Sequence, residues 1–387
     1  MPINYLKIQE QIPDFVNLHH QAHLKRENLK DFAIELLHQV AQGKDNIEKY
    51  IEVEKQSNQY LQCAGPSDEF MSTIFPDEMN DDTTWQILGI DGSQITPDSH
   101  SPLSYGLVNI GIFVIPVDST TPPYQQIQSE FIYHVEDENQ LQFPNEEQIN
   151  IKRDLEERRV LVQLSLETPD SIIALTDGPL SIFREPKENT VFFRQYETLI
   201  KAYEKLPSPS RIIAGYVDRP RSNMVVQMLN IWLKNQDSSK EPLTDFRDSD
   251  LFNTLIPSGS RSAVFTLHSR SGRLFQGDIG LHFFYLNVSP DQHPALVRVE
   301  IPAWVAKDSA LINQLHQQLL QQCRILGTRP YPYVLHRAHE IAVVHQDEKH
   351  NLETMMMKHW LDKGLPLSDF SYKQILKNMV GSRRRMP

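Results

Sequence analysis

The order of elements between Trp85 and Val217 constrains this chain more than any other feature of it. "WQILGI" (85–90) is a short apolar run that closes on Asp91-Gly92, and Asp-Gly is a turn signal. "SYGLVNIGIFVIPV" (104–117) and "IQSEFIYHVE" (127–136) read as two further strands. Helix-period spacing of Ile149, Ile151, Leu155, Val160, Leu161 and Leu164 then predicts a helix over 145–166. After it, "DSIIALTDGPL" (170–180) is a fully apolar strand that again closes on Asp-Gly, at Asp177. A helix over 189–205 and a strand over 211–217 continue the alternation.

Three strands, a helix, a strand, a helix and a strand predict an α/β fold, a mixed sheet with helices on both faces. The first and fourth strands can lie side by side with their carboxyl ends at one rim. That is a ribonuclease-H-like arrangement, carrying insertions and a helical N-terminal region. Apolar spacing at Phe15, Val16, Leu24, Leu29, Phe32, Leu36 and Val40 predicts the first helix there, with a second over 46–61. Residues 64–83 are turn-rich and acidic, and 236–260 read as a polar insertion. Strands near 262–267, 282–288 and 296–301 precede helices over 309–326 and 333–345. The expected divisions are 1–83, a helical region and linker; 84–345, the sheet domain; and 346–387, a helical and basic tail.

With 40% hydrophobic and 23% charged residues in 387, the chain is expected to bury a substantial core. No apolar run is long enough to cross a membrane, and "MPINYLKIQEQIPDF" lacks the plan of a signal peptide. Two cysteines, Cys63 and Cys323, suit neither a disulfide framework nor a zinc site, so a reducing cytoplasm is expected. A net charge of -12 argues against wholesale coating of nucleic acid but leaves room for a local basic groove. No GxxxxGK[ST] segment is present, so the chain is not expected to hydrolyse ATP.

Two strand ends carrying Asp91 and Asp177 at one rim are natural ligands for a hard divalent cation. A two-ion phosphodiesterase holds its ions roughly 3.5–4 Å apart and needs a further carboxylate from a neighbouring element. The intervening helix offers Glu156 or Glu157, and only one can face the sheet, because helical neighbours point about 100° apart. Glu157 precedes Val160, Leu161 and Leu164 by three, four and seven residues, which puts it on the apolar stripe. A carboxylate there is either a ligand or a costly burial. The plain alternative is an ordinary charge on a solvated helix face, and Glu156 stays open as the ligand.

"GIDGSQ" (89–94), "KRDLEERRVL" (152–161), "ALTDGPL" (174–180), "GYVDRPRSNMVVQML" (215–229), "SGSRSAVF" (258–265), "RVEIPAWVA" (298–306) and "YPYVLHRAHEIAV" (331–343) together resemble the NurA nucleases. The resemblance runs over about residues 85–345, and each motif is weak alone. It implies a ribonuclease-H-like fold and a Mn²⁺-dependent (or Mg²⁺-dependent) two-ion DNA nuclease. It also implies 5′–3′ exonuclease and single-strand endonuclease activity, a homodimer, and a HerA-type hexameric ATPase partner in DNA end processing. Carried over by position, the site residues are Asp91, Glu157, Asp177 and His339, the last in "RAHE". A family tyrosine near the site corresponds to Tyr216.

Three arginines admit two readings each. Arg219 and Arg221 in "YVDRPRS" could grip phosphates bidentately. They could equally pair with Asp218 beside a helix capped by Ser222. Arg261 in "SGSRSAVF" raises the same choice. Two other functions stay open on the residues alone: a catalytically silent adaptor that guides DNA for a ring ATPase, and a related metal-dependent RNase.

Overall fold

The computed structural model describes residues 3–77, 85–98, 104–117, 120–137, 140–182, 186–188, 190–236, 239–291, 293–328 and 330–364. Helices α1 (Tyr5–Gln42) and α2 (Lys44–Ser57) lead into the short strands β1 (Cys63–Gly65) and β2 (Ile74–Phe75). Next come β3 (Gln86–Ile95), β4 (Gly106–Ile115) and β5 (Tyr124–Ile132), then a small hairpin of β6 (Val135–Asp137) and β7 (Gln140–Gln142). Helix α3 (Glu146–Glu167) precedes β8 (Ile172–Asp177), α4 (Val191–Tyr203), β9 (Arg211–Asp218), α5 (Met224–Gln236) and α6 (Asp248–Leu255). Strands β10 (Arg261–Ser262), β11 (Phe265–His268), β12 (Leu281–Asn287) and β13 (Leu296–Pro302) follow. The described chain closes with helices α7 (Ala303–Ala306), α8 (Ser309–Ile325), α9 (Tyr333–Ala342) and α10 (Gln346–Asp362). The basic end of the chain, predicted as part of the tail, lies outside the described residues beyond 364.

The chain divides into two compact units, and neither is continuous in sequence. The first holds 1–81 and 215–332, the second 82–214 and 333–387. In the second unit, β3, β4 and β5 form an antiparallel meander, and β8 runs parallel to β3 on its other side. A parallel neighbour needs a crossover, and α3 supplies it. The first and fourth strands of the predicted order are therefore side by side, as a ribonuclease-H-like sheet requires.

The two faces of this sheet carry different helices. Adding a Cβ at Gly111 would drive it into the Ala338 backbone of α9, and a Cβ at Gly92 would meet Glu157 and Arg153 of α3. Residues 89, 91 and 93 thus face α9, while 88, 90 and 92 face α3, by the two-residue period of a strand. Close helix approach on both faces explains two glycines inside strands better than a bend does.

In the first unit, β1, β11, β12, β13 and the end of β9 lie in that order, with β10 pairing both β12 and β2. Helices α1 and α2 pack on α5 through Leu36, Leu37, Val40, Ile47 and Ile51. The apolar spacing that predicts a buried face along the whole first helix holds only for its second half. Phe15, Val16 and Leu24 are exposed. Two other expectations change. Residues 64–83 contain strand pairings at both ends of their described part, and the predicted insertion 236–260 contains α6. Among the described residues no helix is long and apolar enough to cross a membrane.

Candidate active site

Asp91 does not end its strand. β3 continues through Gly92 to Ile95, because each of Gly92, Ser93, Gln94 and Ile95 has a partner on β4. Asp-Gly here is a close-packing pair, and the turn it signals forms only at Asp177-Gly178, where Gly178 has φ 92°. The carboxylate of Asp91 leaves the sheet on the α9 face. There Nδ1 of His339 stands 2.6 Å from its Oδ2, and Oδ1 accepts the Gly92 amide at 2.8 Å. Against an ionised carboxylate the ring nitrogen must donate, which fixes the neutral tautomer with Nε2 carrying the lone pair. The His339 side chain is 61% exposed and that of Asp91 12%, so the pair sits at a surface.

Helix α9 can deliver His339 to this point because it lies close against the sheet. It begins after Pro332, and its buried residues Val334, Leu335, Ala338 and Ala342 face the strands. Ser93 Oγ and Asn109 Nδ2 both donate to the Ala342 carbonyl, the latter at 2.7 Å, and so pin the end of the helix.

Asp177 is placed by strand register. Ile90 pairs with Thr176 in parallel, so the next residue of each strand is Asp91 and Asp177. Neighbours in a parallel pair project to the same face, which puts both carboxylates at one rim. Asp177 is exposed.

Glu157 reaches the sheet from the opposite face. It is 4% exposed and lies beneath Gly92, while Glu156 turns outward to Lys152 at 2.9 Å and Arg159 at 2.6 Å. The apolar stripe therefore orients the two glutamates as their spacing predicts. Burial pushes the Glu157 carboxyl up to about 7, against the pull of Arg158 and Arg153. Arg158 pairs with Glu157, and Arg153 Nε approaches its Oε1 at 3.3 Å. Arg158 also donates to the Pro179 carbonyl at 2.7 Å, tying α3 to the turn after Asp177. These two arginines are parts of the site that the sequence reading missed. Arg153 stands four residues before Glu157, the spacing of a helical ion pair, and that was the available signal.

The donor chemistry of this rim can be tested against a divalent ion. Asp91, Asp177 and His339 offer the oxygen and imidazole ligands that Mn²⁺ accepts, and they fit. Glu157 fits less well, because its carboxylate is held by two guanidiniums. Among the described residues no three His, Cys, Asp or Glu side chains are gathered closely enough to hold an ion in this arrangement.

Two residues expected near nucleic acid are elsewhere. Tyr216 is fully buried, with its hydroxyl 3.8 Å from Cys323 Sγ, so it cannot touch a bound strand. Arg261 is 1% exposed and gives both its terminal nitrogens to Glu69 at 2.8 Å, beneath the ring of Phe75. It is an internal tie of the first unit. Ser222 does not cap α5 either. Its hydroxyl meets Tyr285 and Arg298, and the buried Asp248 accepts the Val226 amide at 2.9 Å in its place. Arg219 and Arg221 are exposed, and Arg219 approaches Asp218 only at 3.8 Å.

The sheet has a ribonuclease-H-like topology, and its rim carries Asp91 and Asp177. The NurA domain matches residues 86–344. The chain belongs to the NurA family and is a nuclease of that family. A search of the curated proteins gives no match. Among solved structures, endonuclease V of Bacillus subtilis is 13% identical with a TM-score of 0.30, covering 73% of this chain and 86% of its own. The catalytic domain of human endonuclease V is 11% identical with a TM-score of 0.31, covering 84% and 99%. Drosophila Piwi is 11% identical at 0.30, and the chain covers only 30% of it. These scores describe a distant likeness of fold.

Proposed function

We propose that this nuclease is a metal-dependent deoxyribonuclease whose cation is held at the rim by Asp91, Asp177 and His339, with Glu157 joining from α3. The observation that carries this reading is the contact of His339 with Asp91, beside an Asp177 that the parallel register brings to the same rim. Bound there, Mn²⁺ or Mg²⁺ would lower the pKa of a water and stabilise the leaving oxygen. The chain's own residues do the rest. Asp91 fixes the His339 tautomer, so that Nε2 can bind a cation or take a proton at the surface. Arg153 and Arg158 hold Glu157 beneath Gly92, so its approach to the rim involves exchanging those partners.

The finer assignments follow the family. The substrate is DNA, cut as a 5′–3′ exonuclease and a single-strand endonuclease. Exposed Arg219 and Arg221 contact phosphates, and two copies act with a HerA-type hexameric ATPase in end processing. Purified protein incubated with end-labelled single- and double-stranded DNA tests this, with Mn²⁺, Mg²⁺ and EDTA compared. Cleavage that persists in EDTA, or in Asp177→Ala with Mn²⁺, would overturn it. Addition of a HerA-type hexamer and ATP is expected to stimulate cutting of long duplex, and light scattering to give a dimer.

A further inference from the structure

The first unit contains a cavity of about 680 Å³ whose lining includes none of the acidic residues of the rim. Three guanidiniums line it, those of Arg219, Arg221 and Arg247, against one carboxylate, Asp218. Such an excess of positive charge stands out in a chain of net charge -12. The remaining wall mixes the polar Ser249, Asn253 and Thr328 with Pro294, Leu296 and Tyr331. The Tyr331 ring is fixed by a perpendicular contact with buried Tyr216, at 5.4 Å and 87°.

The backbone at the mouth is unusual. Arg219 has φ 46°, a left-handed conformation that few side-chain-bearing residues adopt, and it directly precedes Pro220. The surrounding structure holds that strain, and the Arg219 side chain is 92% exposed. Its backbone is set by β9, whose last residue Asp218 pairs with Val297 of β13.

We propose that this cavity is a subsite for one unstacked nucleotide of single-stranded DNA, its phosphate on the three arginines and its base against Tyr331. The proposal rests on the deoxyribonuclease reading and extends it to a second place on the chain. The volume lies within the about 300–1,000 Å³ of ligand-sized cavities. A duplex keeps its bases stacked inside and offers a concave pocket only its backbone. A single strand can place a phosphate and a bare base face there together. Arginine forks suit phosphate oxygens, and an aromatic ring suits any base.

The test is equilibrium binding of the full-length protein in EDTA, so that affinity is read without cleavage. The probes are a fluorescent oligothymidylate and a duplex of equal length. Arg219→Ala, Arg221→Ala and Arg247→Ala alter exposed side chains, and thermal melts check that each variant is folded. Each is expected to weaken single-strand binding about fivefold and to lower the salt slope by about 0.7 for every phosphate no longer neutralised. Tyr331→Leu is expected to weaken it about tenfold with the salt slope unchanged, while Tyr331→Phe retains affinity. Duplex binding should not respond to Tyr331→Leu. Unchanged single-strand affinity in the triple arginine variant, or equal losses in Tyr331→Leu and Tyr331→Phe, would overturn the subsite. Cleavage that persists in EDTA or in Asp177→Ala, with this binding pattern intact, would count against the metal rim instead, so the two readings fail separately.

Discussion

His339 Nδ1 stands 2.6 Å from Asp91 Oδ2 across 248 residues of sequence, joining the first long strand of the second unit to a helix near the end of the described chain. The side chain of His339 is mostly exposed, so its removal leaves little packing to lose. His339→Ala is expected to melt within a few degrees of the parent and to lose at least about a hundredfold in Mn²⁺-supported cleavage. Asp91→Ala should lose as much. Near-parental cleavage in either variant, measured on end-labelled DNA, would remove the pair from the site.

Glu157 and Arg158 form a buried ion pair, and such pairs respond asymmetrically to mutation. Arg158→Met leaves the carboxylate without its main partner and is expected to destabilise the fold by about 3–5 kcal/mol. The double variant Glu157→Gln/Arg158→Met should regain part of that loss, because a neutral amide costs less to bury unpaired than a carboxylate. Urea unfolding of the single and double variants measures the difference. In cleavage assays Glu157→Gln should fall far below Glu156→Gln, whose side chain points away from the sheet; equal mild losses would return both to a structural role.

Gly111 and Gly92 both admit a helix, but against different atoms. A Cβ at Gly111 meets the Ala338 and Ala342 backbone, which cannot move without shifting α9, whereas at Gly92 it meets side chains. Gly111→Ala is expected to cost about 1–3 kcal/mol and Gly92→Ala less. Because α9 carries His339, Gly111→Ala should also reduce cleavage. Thermal melts beside activity assays test the ranking.

Asp248 is buried and accepts hydrogen bonds from the Val226 amide and, at 2.7 Å, from the Tyr285 hydroxyl. Burial pushes its carboxyl up to about 6 despite those donors. The folded state thus holds this proton more tightly than the unfolded chain does. The resulting stability is fully present below the ordinary carboxylate range and is lost as pH rises through about 6. Over that window the change amounts to roughly 3 kcal/mol. Asp248→Asn cannot titrate, so its denaturation midpoint should vary less between about pH 4.5 and pH 7 than the parent's. Parallel curves for the two proteins would rule out this residue as the source.

Much of the second unit was legible in the residues themselves. Apolar periodicity reports which side of an element is buried, and burial of one face is a local property. Hence the alternation of strands and helices, the parallel neighbours carrying Asp91 and Asp177, and the inward turn of Glu157 were all readable in one dimension. Partner identity is different, because it depends on which distant elements the packing brings together. The same Asp-Gly pair is mid-strand at Asp91 and a turn at Asp177, a choice made by whether a neighbouring strand remains to pair with. Arg261 and Tyr216 carry chemistry suited to nucleic acid, yet Glu69 and Cys323 meet them inside the first unit. Asp248 caps a helix that begins 24 residues earlier, where sequence offered the adjacent Ser222. The sequence by itself determined the main strands and helices of the second unit, the buried face of α3 and the acidic residues presented by the sheet. The tertiary structure alone decided that His339 reaches Asp91, that two arginines hold Glu157, and that Arg219, Arg221 and Arg247 share one cavity, since each depends on contacts that no local pattern specifies.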